Sequence, residues 1–470
     1  MEGAFDSLGL ASASLGREAR LRLEGADYHQ AIRLYRIAQE AGEPWAVESL
    51  AAVASRMLKE NDATLEGFAR EAESCRLITS YLSQGPLVRD TARWLNTLEK
   101  SGAEAVPLAE QFALIAYQSG DMEACRRWIN RAEAGNPLVK WINSRLALQE
   151  GKVEEAASLL SSLIAQFPTI PSGHAFLNTR ITYKNFHHIA GTNQIRGELG
   201  LLNLTRRHFV EALDHLYRGR FFIDAAYVAE RVLTTDELKD YVDAHWPAAV
   251  QDASITSNEQ PGRAGPSHPY RSDIRWWLAR RLVRDNRVEE AGSYFPDPVA
   301  GTFKQFAIHL DQSRKGSTRN KAEALWKAAQ VMKTYGLELA GTETGPDWAA
   351  HGGNFSEGPT DKNRTDKELN HLLLATPEEQ ERSLRHTAKP DKRWHYRYVA
   401  AQMGWKAASD LPDNTDQKAE ILWMAGSWIK LTDPTEADRF YKALVRQCGN
   451  TDLGKRANEL KWFPPLPGSR

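Results

Sequence analysis

Cysteine is scarce in this chain, with only Cys75, Cys125 and Cys448 among 470 residues. They stand too far apart for the short spacings of zinc ligands or redox pairs. Their odd number leaves at least one thiol outside any disulfide. Cys125 falls on an apolar helical stripe and reads as a small buried hydrophobe. Long apolar runs are missing as well: no stretch approaches the ~20 residues that span a bilayer. Nor does a basic start lead into an apolar stretch with a cleavage site, as an export leader would. Charge of one sign is not in excess, since 60 Lys and Arg face 61 Asp and Glu for a net charge of -1. Nucleic-acid binders usually carry a basic surplus that displaces counterions from phosphates, so no nucleic-acid partner is expected. Strand signals are few: β-branched residues do not alternate over any length, and no Asn-Gly pair joins two apolar runs.

Catalytic patterns are absent too. There is no Gly-rich phosphate loop, no dinucleotide fingerprint, no His-Glu-x-x-His and no Gly-x-Ser-x-Gly. Glu48-Ser49 sits in an ordinary amphipathic helix without the Gly-Leu-Met-Gln that follows the catalytic Glu-Ser of some muramidases. His174 and the pair His187-His188 lack the acidic or thiol companions that would complete a ligand set, and adjacent histidines on a helix point to different faces. No metal, cofactor or enzymatic activity is therefore expected.

What is present is helical periodicity over nearly the whole length. A single core stops growing near ~250–300 residues, so this chain divides into domains or forms an elongated array. A mean hydropathy of -0.52 fits an array, because thin stacked layers leave more surface per residue than a sphere does. Repeats are visible in residues 106–137. Small Ala113 sits where two helices would cross, Gly120-Asp121 would turn between them, and Cys125, Ile129 and Ala132 would form the buried stripe of the second, with Pro137 ending it. Gly151, Ala156, Leu160 and Pro168 repeat Gly120, Cys125, Ile129 and Pro137 at a constant offset of 31 residues. Ala19, Gly25, Asp27-Tyr28, Ala31, Tyr35 and Ala38 give an N-terminal unit, and Ala425, Trp428, Ala437 and Tyr441 fit the frame near the other end, with Asp433-Pro434 at the turn. Weaker versions begin at Arg207, Gly219 and Ala279, the last cut short by Pro296 and Pro298.

These segments resemble tetratricopeptide and Sel1-like repeats. The resemblance implies an all-α, right-handed solenoid of antiparallel helix pairs with two irregular insertions. The wording of Asp6–Arg20, Ala324–Ala329 with Gly341-Thr-Glu343, and Lys442–Cys448 with Trp462-Phe-Pro464 is also similar to large bacterial tetratricopeptide proteins. That similarity implies a further N-terminal helical region and a place in the cell envelope.

The first insertion, residues 251–272, is rich in turn formers and reads as a linker. It would separate an N-terminal solenoid (1–250) from a degenerate C-terminal helical segment (273–470). The second, residues 340–367, holds Glu343, Asp347, Trp348, His351, Asn354, Phe355 and Asp361 among its glycines. It reads as a loop that caps an apolar end of the stack with Trp348 as its plug, with ligand binding or hydrolysis as the alternatives.

In a regular repeat, Glu110, Tyr117, Trp141, Arg145, Trp276 and Arg280 fall at positions facing the concave groove. Aromatic and arginine side chains are enriched at binding hot spots. With Trp348 and His351 of the loop, they form the expected partner-binding set. The expected function is a non-catalytic scaffold holding a peptide or partner domain. The alternative is a structural subunit of a larger envelope assembly.

Overall fold

The computed structural model describes residues 10–82, 88–102, 108–133, 135–164, 192–247, 273–353, 364 and 373–465. Among them are 23 α-helices and no strand, an all-α helical repeat solenoid. The chain forms two compact units, residues 1–195 and 196–470.

Unit 1 contains α1 (Leu10–Glu24), α2 (Tyr28–Glu40), α3 (Trp45–Met57), α4 (Asp62–Ala69), α5 (Ala72–Leu82), α6 (Val88–Lys100), α7 (Ala109–Gln118), α8 (Met122–Ile129), α9 (Pro137–Gln149) and α10 (Val153–Ile164). Alternate helices stack on one another, α3 on α5, α5 on α7 and α7 on α9, while α7 and α9 each pair with the helix that follows. This is the packing that a helix pair needs when it cannot bury its apolar face alone. Trp94 and Trp128 are both fully buried, Trp94 of α6 against Phe68 of α4 and Trp128 of α8 against Phe112 of its own pair, at ring-centroid distances of 6.3 and 5.0 Å.

One turn recurs. At Gly120 the backbone enters the left-handed region (φ 83°), its N–H donates to Tyr117 O, and the next N–H, of Asp121, donates to Ala116 O. This double closure is the Schellman helix end. Asp121 then caps α8 by accepting from Ala124 N at 2.9 Å, so two residues end one helix and start the next. The same pair of backbone bonds closes the turns at Ala26, Gly42 and Gly151 in this unit. Ala113 is fully buried, and the buried stripe of α8 is Ala124, Cys125 and Trp128, with Ile129 and Ala132 only half-buried. Pro137 does not end that helix: it opens α9, where its missing N–H costs nothing.

The boundary between the units falls near the start of α11 (Thr192–Thr205). Unit 2 continues with α12 (Phe209–Arg218), α13 (Phe222–Tyr227) running into a π-turn (Val228–Val232), and α14 (Thr235–His245). Next come α15 (Ile274–Arg284), α16 (Val288–Ala291), α17 (Asp297–Gln312) and α18 (Thr318–Ala340). The last helices are α19 (Pro377–Arg385), α20 (His395–Ser409), α21 (Asp416–Ile429), α22 (Pro434–Gln447) and α23 (Asp452–Leu460).

The expected linker, 251–272, lies outside the described residues, but it does not divide the chain. Helix α14 before it packs on α15 after it, and both belong to unit 2. The Schellman turn reappears here at Arg207, Arg220 and Asn286. In the weaker unit that begins at Gly219, that glycine is right-handed (φ -76°) and the left-handed position is Arg220.

Helix α15 packs on α18, α18 on α20 and α20 on α21. Contact between α18 and α20 is close because Gly336 presents no side chain there: a Cβ would come within 2.3 Å of the Tyr396 ring. Trp326 stacks on Trp428 at 5.1 Å with planes 5° apart.

Candidate binding site

The expected anchors separate into two groups. In unit 1, Tyr117 on α7 meets Trp141 on α9 edge to face at 6.3 Å, and the Arg145 guanidinium lies over the Trp141 ring at 5.1 Å. Trp141 and Arg145 are four residues apart on one helix face, which is what lets the longer side chain fold back over the ring. Trp141 is buried, while Tyr117 and Arg145 are half-buried. The structure brings these three together. Glu110, also half-buried, lies seven residues before Tyr117, about 10 Å along the helix.

The same i, i+4 stack occurs in unit 2, where Arg280 lies over Trp276 at 4.7 Å. Its setting differs, which corrects the reading of these two residues as groove-facing. Trp276 and Arg280 are 3% and 1% exposed. The end of α18 and the insertion after it meet them. Trp276 Nε1 donates to Glu338 O at 2.9 Å, and Arg280 forms an ion pair with Glu343 of the loop. Glu230, on the π-turn, receives the backbone N–H groups of Glu343 and Thr344 at 2.8 and 3.3 Å on one oxygen, and Arg284 at 2.9 Å on the other. Arg284 also donates to Gly341 O at 2.8 Å. Arg281 donates to the carbonyls of Ala229 and Glu230, and burial lowers its pKa to about 10. Arg280 and Arg284 are thus each matched by a buried carboxylate, the condition under which burial of charge is tolerated, while Arg281 is held by carbonyls and lies 3.8 Å from Asp285.

The remaining loop side chains are also turned inward. Asp347 accepts from Thr342 N at 3.2 Å and pairs with His395 Nδ1 at 2.6 Å, both side chains buried. Trp348 is 5% exposed, in left-handed backbone, and His351 beside it is exposed. Glu343 and Asp347 thus fasten the loop rather than face solvent, and Asp347 joins His395 instead of converging with His351. Asn354, Phe355 and Asp361 lie outside the described residues, as do His174, His187 and His188.

Burial sets a pH dependence in this unit. Burial, reinforced by nearby Arg281, pushes the His386 imidazole below its ordinary pKa, and burial does the same to His215 on α12. The folded state therefore binds fewer protons than the unfolded chain just below about pH 6.5, and stability is lost as pH falls from there. Asp273, raised by burial, acts with the opposite sign at lower pH. The melting temperature of unit 2 should fall between about pH 7.5 and pH 5.5, and His386→Gln should flatten that slope. A profile unchanged by the substitution would remove His386 as its cause.

Sequence reasoning missed a cavity of about 650 Å³ in unit 2. Phe306 and Leu310 of α17, Met332 of α18, and Val399 and Met403 of α20 give it an apolar lining. Four cations, Lys389, Lys392, Lys406 and Arg439, line it against one carboxylate, Glu436. Lys392 is held by Asp433 at 2.6 Å and Arg439 by Glu436 at 3.0 Å. Lys389 and Lys406 are exposed, and neither has a carboxylate partner among the described residues. No local spacing links these residues, which come from four separate helices and the segment before α20, so no motif announces them.

In comparison with known proteins, no protein-family model and no curated protein matches the chain.

Proposed function

We propose that this chain is a non-catalytic scaffold of tetratricopeptide-like helix pairs that holds a partner protein in the unit 2 cavity. The cavity carries the reading: an apolar recess of the size that small binding sites occupy, bordered by cations, on a stack of rigid helices. Preformed surfaces of this kind bind with little ordering cost on the receptor side. The inward-turned carboxylates of the 341–353 loop support a capping role for that segment.

A photo-crosslinking amino acid placed at Lys406 tests this directly. It should trap a discrete partner in native-source extract, whereas the same group at exposed Lys327, which does not line the cavity, should not. Met403→Asp, which puts a charge on the apolar lining, should lower partner capture at least about tenfold at unchanged helicity. Equal trapping at both positions, or capture indifferent to Met403→Asp, would refute the cavity as the site.

A second reading is favoured by the Tyr117–Trp141–Arg145 stack, where an arginine held over tryptophan is presented at the surface of unit 1. On that reading Arg145→Ala, and not Met403→Asp, abolishes capture.

A further inference from the structure

We infer that the unit 2 cavity takes an acidic amphipathic helix of another protein; this rests on the partner-binding reading and specifies its chemistry. Three observations lead there. First, the lining is apolar but not rigidly shaped: Met332 and Met403 are unbranched and can repack around different side chains. Second, the charges are lopsided. Of the four lining cations Lys392 is paired with Asp433 and Arg439 with Glu436, but exposed Lys389 and Lys406 have no carboxylate partner among the described residues. An occupant that brings carboxylates beside its apolar face would pair with them, and one that brings ammonium groups would be repelled. Third, the occupant must satisfy its own backbone. The described residues contain no strand, so there is no sheet edge to receive an extended peptide. Of the residues lining the cavity, Asn286 and Gln402 are the only ones with side-chain amides. An extended segment laid over the apolar lining would leave N–H and C=O groups unpaired. A helix pairs them internally and presents side chains at i, i+3, i+4 and i+7.

The cations also come from separate places: Lys389 and Lys392 precede α20, Lys406 lies near its end, and Arg439 lies on α22. That distribution suits carboxylates spaced along a helix rather than the single headgroup of a fatty acid.

The test is fluorescence anisotropy with the full chain and two labelled, capped peptides of about 18 residues, long enough to be partly helical alone. Both carry Leu and Met at i, i+3, i+4 and i+7. One has Glu at the flanking positions and its twin has Lys. The Glu peptide should bind at least about tenfold tighter than the Lys twin in dilute buffer, and the difference should shrink in about 0.5 M salt. Lys389→Glu with Lys406→Glu, both exposed and tolerant of change, should weaken the Glu peptide about tenfold or more and tighten the Lys twin. Equal affinity for the twins, or no response to the charge reversal, overturns the inference. So does binding of laurate that competes with a partner while neither peptide does. A partner trapped at Lys406 while the twins bind alike would leave the scaffold reading standing and remove the acidic helix. No trapping and no peptide binding would remove both.

Discussion

Arg280→Ala should destabilise unit 2 by about 3–5 kcal/mol, the range found when one member of a buried ion pair is deleted. Arg280 and Glu343 are 1% and 3% exposed. Removing the guanidinium takes the ion-pair partner of the buried Glu343 carboxylate away, next to Glu230, which already accepts the Glu343 N–H. The expected partner result is that Arg280→Met with Glu343→Leu recovers much of the loss, because exchanging both charges for apolar groups of similar size leaves neither member of this pair facing an absent one. Urea unfolding of the three variants, with the double-mutant cycle drawn from their midpoints, measures this. A single-variant cost below about 1 kcal/mol would show that water reaches the pair and that the loop is held by something else. Proteolytic cleavage within 341–353 should quicken in Arg280→Ala and return to its native rate in the double variant.

The second large effect concerns packing. Trp277 is fully buried one residue along α15 from Trp276, and its ring meets Tyr217 edge to face at 5.6 Å. Tyr217 in turn touches Phe222 and Trp246 at 5.7 and 5.0 Å, and its hydroxyl accepts the Ile274 N–H at 3.4 Å, so one ring ties α12 to the start of α15. Trp277→Ala should cost about 3–5 kcal/mol, through lost burial and a cavity that rigid helices cannot close. Trp277→Phe, which keeps a ring against Tyr217, should cost distinctly less. Thermal melts followed by circular dichroism distinguish the two. Similar losses for both would indicate that the indole shape, rather than ring contact, holds the junction.

The solenoid could be read from the sequence wherever glycine marked a left-handed turn. Gly120 and Gly151 occupy that position, and their constant spacing exposed the repeat. The same turn at Ala26, Arg207 and Arg220 uses residues that merely tolerate positive φ, so nothing in the letters signals it, and only Asn286 is of a type that favours that backbone. The candidate anchor residues were harder for a related reason. Trp141 with Arg145 and Trp276 with Arg280 are identical in type and spacing, and on an isolated helix they are equivalent. What separates them is a loop more than sixty residues downstream that brings Glu343 onto Arg280. The cavity cations depend on the same kind of long-range arrangement, since Lys389 and Arg439 are neighbours of one recess only after α18, α20, α21 and α22 have stacked. Local pattern reports which face of a helix is apolar, but not what later arrives to cover it.

The recurring turn has a consequence for how such a chain can diverge. Its two defining bonds run from N–H to carbonyl, so they survive replacement of almost every side chain around them. Selection can then rewrite the lettering of each helix pair while the joints keep their angle. Kinship among the pairs would fade first in their residues and last in their main-chain bonds, so the repeat is best counted joint by joint.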